Sequence, residues 1–198
     1  FAVQNCFETN RITALDFEDE GPGASEDDGT KVVGLINIGG DVTNINIVQG
    51  SSPHFTRDIS VGCRSFIEGL QKELGVDYDA AQKIISGDIG DVDEGRARSV
   101  IAACSQDLSM GIERSISFLK AAGDAESIDE IALSGGGAHI PFLKDILSEK
   151  HGIEISVHNP LDGIDYEEGV FGEYEEELEN IAPLLTVGIG LALRKVGK

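Results

Sequence analysis

The residues with the clearest chemical potential are glycines, in two clusters that each end an apolar run. VVGLINI, residues 32–38, leads into Gly39-Gly40-Asp41, and IDEIAL, residues 128–133, leads into Ser134-Gly135-Gly136-Gly137-Ala138. Glycine admits positive φ and lets backbone come close to a ligand where a Cβ would intervene. A strand-to-strand turn of small residues offers backbone N–H groups to an oxyanion or phosphate. A strand that passes through glycines into a helix turns N–H groups and a helix N-terminus toward the same kind of group. Bare glycine backbone also gives a flat base or ribose a surface to lie on. Taken alone, each cluster is as readily a steric turn as a site.

Other reactive side chains do not assemble. His54, His139, His151 and His158 are scattered without metal or triad spacing, and His139 beside the glycine turn reads as a polar cap at a helix start. Cys6, Cys63 and Cys104 are three widely spaced thiols with no CxxC pair, the pattern of buried cysteines in a reducing compartment. Two acidic segments, residues 18–30 and 166–179, lack regular ligand spacing and read as solvated faces.

The elements that must position the glycines follow from periodicity. Val32 to Ile38 reads as a strand covered on both faces, and residues 42–47 alternate like a half-buried strand. HFTRDIS, residues 54–60, completes an antiparallel meander. Residues 62–74 form a helix with Phe66, Ile67, Leu70 and Leu74 on one face, closed by Gly75, and residues 78–86 form a second. From 93 to 122, apolar residues at spacings of three and four predict one long amphipathic helix. A strand at 128–133, a helix at 139–150 with Pro141 in its first turn, a strand at 153–157 and an apolar helix at 181–195 follow. At the N-terminus, residues 1–9 read as the end of a helix and 11–17 as a short strand.

A length of 198 residues suffices for one good core with a small satellite. Thirty-six acids against fifteen bases, a net charge of -21, disfavour nucleic acid or an anionic membrane surface as a direct partner. No apolar run approaches the roughly 20 residues that cross a bilayer. The chain opens on Phe1 and carries only Met110, so it is read as a fragment of a longer protein.

The order of these elements, meander first and parallel αβ units afterwards, is that of one half of the ribonuclease-H-like ATPase fold of actin. Within that fold, INIGGDVTNINIVQGSSPHFTRDISVG resembles the second phosphate hairpin of the PilM family, the actin-like proteins of type IV pilus assembly. FAVQNCFE resembles the helix connecting the two lobes of those proteins, LSGGGAHIPFL their adenosine motif, and APLLTVGIGLALR their second connecting helix. The likeness runs from Phe1 to Arg194.

The resemblance implies an α/β, actin-like ATPase lobe: a mixed sheet with antiparallel meander plus parallel strands, helices on both faces. Residues 1–10 would be the inter-lobe connecting helix, 11–60 and 105–198 subdomain IIA, and 61–104 the small subdomain IIB. The N-terminal lobe (subdomains IA and IB or IC) would be absent. The family implies a cytoplasmic protein, peripheral to the inner membrane, that binds ATP and Mg2+ once the missing lobe is present. It implies as partners the cytoplasmic tail of PilN, held by a groove of the missing lobe, and the pilus motor ATPases; the scaffold would link the motor to the PilN/PilO platform without direct membrane insertion. Gly39, Gly40, Asp41, Val42 and Thr43 would lie beside the phosphates, and Gly135, Gly136, Gly137 and Ala138 would face adenine and ribose. Ile140 would add an apolar contact, and Glu113 would reach the ribose hydroxyls.

Two departures bear on turnover. Asn37 stands where the family's hairpin has aspartate, and asparagine can orient a metal-bound water but cannot take a proton. Asp41 places a carboxylate beside the phosphates, which needs a divalent cation between them. With Asn37 and Asp41 as the metal-side residues, the expectation is at most a weak ATPase. The alternatives are an actin-fold secretion-platform scaffold that binds no nucleotide, and a sugar or acetate kinase of the same superfamily, for which no second catalytic acid is seen.

Overall fold

A computed structural model describes residues 2–17, 31–123, 126–162, 164–167 and 169–193. The chain opens with helix α1 (Ala2–Phe17). Strands β1 (Val32–Ile38), β2 (Thr43–Gln49) and β3 (Ser52–Ile59) follow. Helices α2 (Cys63–Leu74), α3 (Tyr78–Ile85), α4 (Glu94–Cys104) and α5 (Gln106–Ala122) come next. The chain then runs through β4 (Glu130–Ser134), α6 (Leu143–His151), β5 (Glu154–Val157), a 3-10 turn at Gly172–Glu177 and α7 (Leu178–Ala192).

The five strands form one sheet in the order β3-β2-β1-β4-β5. β1–β2 and β2–β3 pair antiparallel, whereas β1–β4 and β4–β5 pair parallel. This is the expected mixed sheet. Period two then sorts β1 onto both faces. Val33 and Leu35 join Val48, Ala132 and Val3 in one apolar cluster beside α1, with Phe7 packed against it. Ile36 and Ile38 join Ile45, Ile131, Leu133 and the apolar faces of α2, α5 and α6 in the other. β1 is therefore covered on both sides, which is why its sequence is almost unbroken in apolar residues.

Three expectations are corrected. Residues 11–17 continue α1 and are not a strand. The long helix expected at 93–122 breaks at Ser105, where ψ opens to -5° and Ser105 Oγ donates to the Ala102 carbonyl at 2.9 Å. A serine bonding back to its own preceding turn competes with the helix ladder and bends it. The apolar spacing continues across the break, but α4 packs on α2 while α5 packs on β3. Finally, α6 begins at Leu143 and not at 139. Pro141 disfavours helical geometry at Ile140, and Phe142 adopts left-handed backbone at φ 63° before the helix can start. The acidic segment 18–30 and the chain beyond Leu193 lie outside the described residues.

Candidate functional site

The β1–β2 hairpin, α2, α3, the 135–138 turn and α7 converge on a cavity of about 750 Å3. Gly40 contributes the hairpin tip, and Cys63, Arg64, Ile67, Glu68 and Gln71 one face of α2. Tyr78, Gln82, Ile85 and the C-cap Ser86 contribute a face of α3, with Gly136 and Leu184 closing the rim. The volume falls in the range of small-molecule and cofactor sites.

The hairpin is locked to α2 by backbone. Gly62, the N-cap of α2, offers no side-chain cap; instead the N–H groups of Cys63 and Arg64 donate to the carbonyls of Gly39 and Gly40, both at 2.9 Å. Neither Gly39 nor Gly40 has left-handed backbone, so positive φ is not what the hairpin requires. The close approach is at Gly62, where a Cβ would come within 2.6 Å of both hairpin carbonyls. Among the described residues, no protein acceptor takes the N–H groups of Gly40 and Asp41.

The three glycines of the 135–138 turn have different duties. Gly135 is left-handed at φ 82°, and a Cβ on it would meet the Ile38 carbonyl oxygen and Asn37 Oδ1. Gly137 donates its N–H to that carbonyl at 3.0 Å, and a Cβ there would overlap the Ile38 side chain. Only Gly136 faces the cavity, where a Cβ would meet no more than Leu184 Cδ2 at 3.3 Å and Cys63 Sγ at 3.8 Å.

Of the residues expected at a ligand, Gly40 and Gly136 line the cavity. Gly39 and Gly135 support it through backbone. Asp41 stands beside it, its Oδ1 2.9 Å from Arg64 Nε. Asn37 Oδ1 instead accepts from Ser134 Oγ at 3.2 Å. Thr43 is fully buried, and its hydroxyl donates to the Val61 carbonyl at 2.7 Å. Ala138 and Ile140 are buried in the core and do not line the cavity. Val42 is exposed on the hairpin. Glu113 pairs with Lys150 at 3.6 Å, at the end of α6 away from the glycine turn. His139 Nε2 meets the Glu179 carbonyl at 3.1 Å, a contact to α7 backbone.

Asn37 and Asp41 are thus each engaged by a protein partner, and among the described residues no group of three His, Cys, Asp or Glu side chains is arranged for a metal. A Mg2+ here would take most of its oxygens from phosphate and water. Burial pushes the Cys63 thiol up, which favours its neutral form in the cavity wall.

The sequence reading missed the helical walls. Their signal is a polar stripe, Arg64-Glu68-Gln71 on α2 and Gln82-Ser86 at the end of α3, at helical spacing beside the apolar faces.

Comparison with known proteins agrees with this architecture. The family model of type IV pilus assembly protein PilM matches residues 22–196. Among solved structures, a PilM-PilN type IV pilus biogenesis complex matches at TM-score 0.73 and 21% identity, covering 99% of this chain and 52% of that one. MreB 5 of Spiroplasma citri bound to AMPPNP matches at TM-score 0.58 and 13% identity, covering 95% and 57%. The archaeal actin homolog Ta0583 in complex with ADP matches at TM-score 0.55 and 14% identity, covering 93% and 53%. The chain spans about half the length of these structures, and they share its actin-like fold. With its model matched over 175 of the 198 residues (22 to 196 inclusive), the chain belongs to the family of type IV pilus assembly protein PilM.

Proposed function

We propose that this chain is the nucleotide-cleft half of an actin-fold scaffold in type IV pilus assembly. The observation that carries the reading is the cavity between the glycine hairpin, α2, α3 and Gly136. At its hairpin end stands Gly40, whose N–H, like that of Asp41, has no protein acceptor among the described residues; elsewhere its wall carries the neutral amides of Gln71 and Gln82. Phosphates suit the first and a base the second. The fold relatives bound to AMPPNP and ADP support a nucleotide as the occupant. In this reading α2, α3 and α4 form the small subdomain that walls the cleft, and ATP arrives with its own Mg2+. The match to a PilM-PilN complex supports PilN as a partner; in this reading the scaffold is peripheral to the inner membrane and coupled to the pilus motor. Among the described residues no helix is long and apolar enough to cross a membrane.

The test is titration of the full-length protein with fluorescent ATP and Mg2+, beside Gly136→Trp. An indole at 136 enters the cavity, so saturable binding should be lost while the thermal melt stays cooperative. A folded wild-type protein that binds nothing would refute the nucleotide site. It would favour a nucleotide-free scaffold.

A further inference from the structure

We infer that Arg64 is the residue that makes this cleft prefer phosphate-bearing ligands, and that Asp41 is its displaceable counter-ion. The inference rests on the nucleotide reading of the cleft. Among the described cavity-lining residues Arg64 is the one base, in a chain carrying a net charge of -21. It leaves α2 on the first turn, beside the hairpin whose Gly40 and Asp41 N–H groups have no protein acceptor among the described residues. Cation and hairpin tip therefore stand side by side at the same end of the cavity.

The pair with Asp41 is built to exchange. It joins Nε to Oδ1 at 2.9 Å between side chains that are 66% and 64% exposed. Such exposed pairs contribute little, so giving one up costs little. A guanidinium carries five donors in a fixed fork, and phosphate oxygens match that fork better than one carboxylate contact does. Asp41 meanwhile repels any phosphate that approaches the hairpin. Exchange of Asp41 for phosphate frees the guanidinium for the ligand, and the exposed Asp41 carboxylate is left to turn toward solvent. Glu68 lies one turn further along α2 and also lines the cavity, which places the acidic side chain away from the hairpin.

The experiment compares ATP, ADP and adenosine binding to the full-length wild-type protein, Arg64→Ala, Arg64→Lys and Asp41→Asn. Arg64→Ala should weaken ATP and ADP by about tenfold or more, as loss of a charge-assisted hydrogen bond does, and the ratio of ATP to adenosine affinity should fall by a similar factor. Arg64→Lys, which keeps the charge without the fork, should fall between. Asp41→Asn should tighten ATP several-fold when no divalent metal is present. An unchanged ATP-to-adenosine ratio in Arg64→Ala, or weaker ATP binding in Asp41→Asn, overturns the inference while leaving the nucleotide site standing. A wild-type protein that binds none of the three ligands overturns the site itself, and this inference with it.

Discussion

Gly190 of α7 stands directly against Ala2 of α1: a Cβ at 190 would fall on the Ala2 carbonyl oxygen. Asn5 Nδ2 donates to the Gly190 carbonyl at 3.3 Å from the same helix, so the contact is fastened as well as close. The two chain ends of the described structure are thereby held together over one face of the sheet.

Gly190→Ala should therefore destabilise by about 2 kcal/mol or more, since backbone cannot yield as a side chain does. Gly188, two residues earlier, has nothing within 4 Å of its notional Cβ. Gly188→Ala should stabilise by up to about 1 kcal/mol through helix propensity. Urea denaturation of the two variants side by side checks the contrast; equal effects would mean that the α1–α7 contact is looser than described.

Within the 135–137 turn, single alanines should separate fold from ligand. Gly135→Ala sets an L-residue at φ 82° against the Ile38 carbonyl, and Gly137→Ala overlaps the Ile38 side chain. Each should lower the thermal midpoint clearly, by about 1–3 kcal/mol in stability. Gly136→Ala meets only the flexible end of Leu184 and, at ordinary contact distance, Cys63 Sγ, and should melt near wild type.

Thr43→Val tests whether the hairpin threonine serves the fold. Its hydroxyl is fully buried and spent on the Val61 carbonyl. Removing that bond in a residue of nearly the same shape should cost about 1–2 kcal/mol of stability. Nucleotide affinity measured below the melting transition should move little. A large loss of affinity in a variant of normal stability would return Thr43 to the phosphates.

Acid stability should report on His158. Burial pushes its pKa down from 6.5 to about 4, and its Nε2 has no hydrogen-bond partner among the described residues. The folded protein holds this imidazole neutral while the unfolded chain protonates it near 6.5. Its contribution is thus fully present above pH 6.5 and is lost as the pH falls from 6.5 toward 4, a change of about 3 kcal/mol. His151, lowered in the same sense by burial, adds to that slope. Denaturation between pH 7 and pH 4 should show a shallower decline for His158→Phe than for wild type.

Sheet and core were legible because period two and apolar runs are local signals. Val32 to Ile38 announced a doubly covered strand, and Phe66, Ile67 and Leu70 announced the buried face of α2, each from a handful of residues. The break at Ser105 was not legible, since the apolar spacing runs through it and only the different packing of α4 and α5 separates them. The start of α6 is not legible because a proline suits a helix's first turn, whereas the constraint of Pro141 falls on Ile140 before it.

The candidate site divides in the same way. Glycine clusters mark where backbone approaches, and Gly40 and Gly136 line the cavity. Their neighbours within each motif were not separable, because whether Thr43, Ala138 or Ile140 faces a ligand or the core depends on the other side of the cleft. Arg64, Gln71 and Gln82 reach the cavity from helices whose polar faces look like any solvated surface until α2 and α3 are seen beside the hairpin.

The lock between α2 and the hairpin has an electrical meaning. The carbonyls of Gly39 and Gly40 that accept from α2 belong to the same peptide units as the N–H groups of Gly40 and Asp41. In a trans peptide, carbonyl and N–H point in opposite directions, and a hydrogen bond on the carbonyl polarises the N–H into a better donor. The positive end of the α2 dipole is therefore relayed through two further peptide units and re-emerges at the hairpin tip. In a chain of strongly negative charge, the backbone carries a small positive terminal to the place where an anion would have to be received.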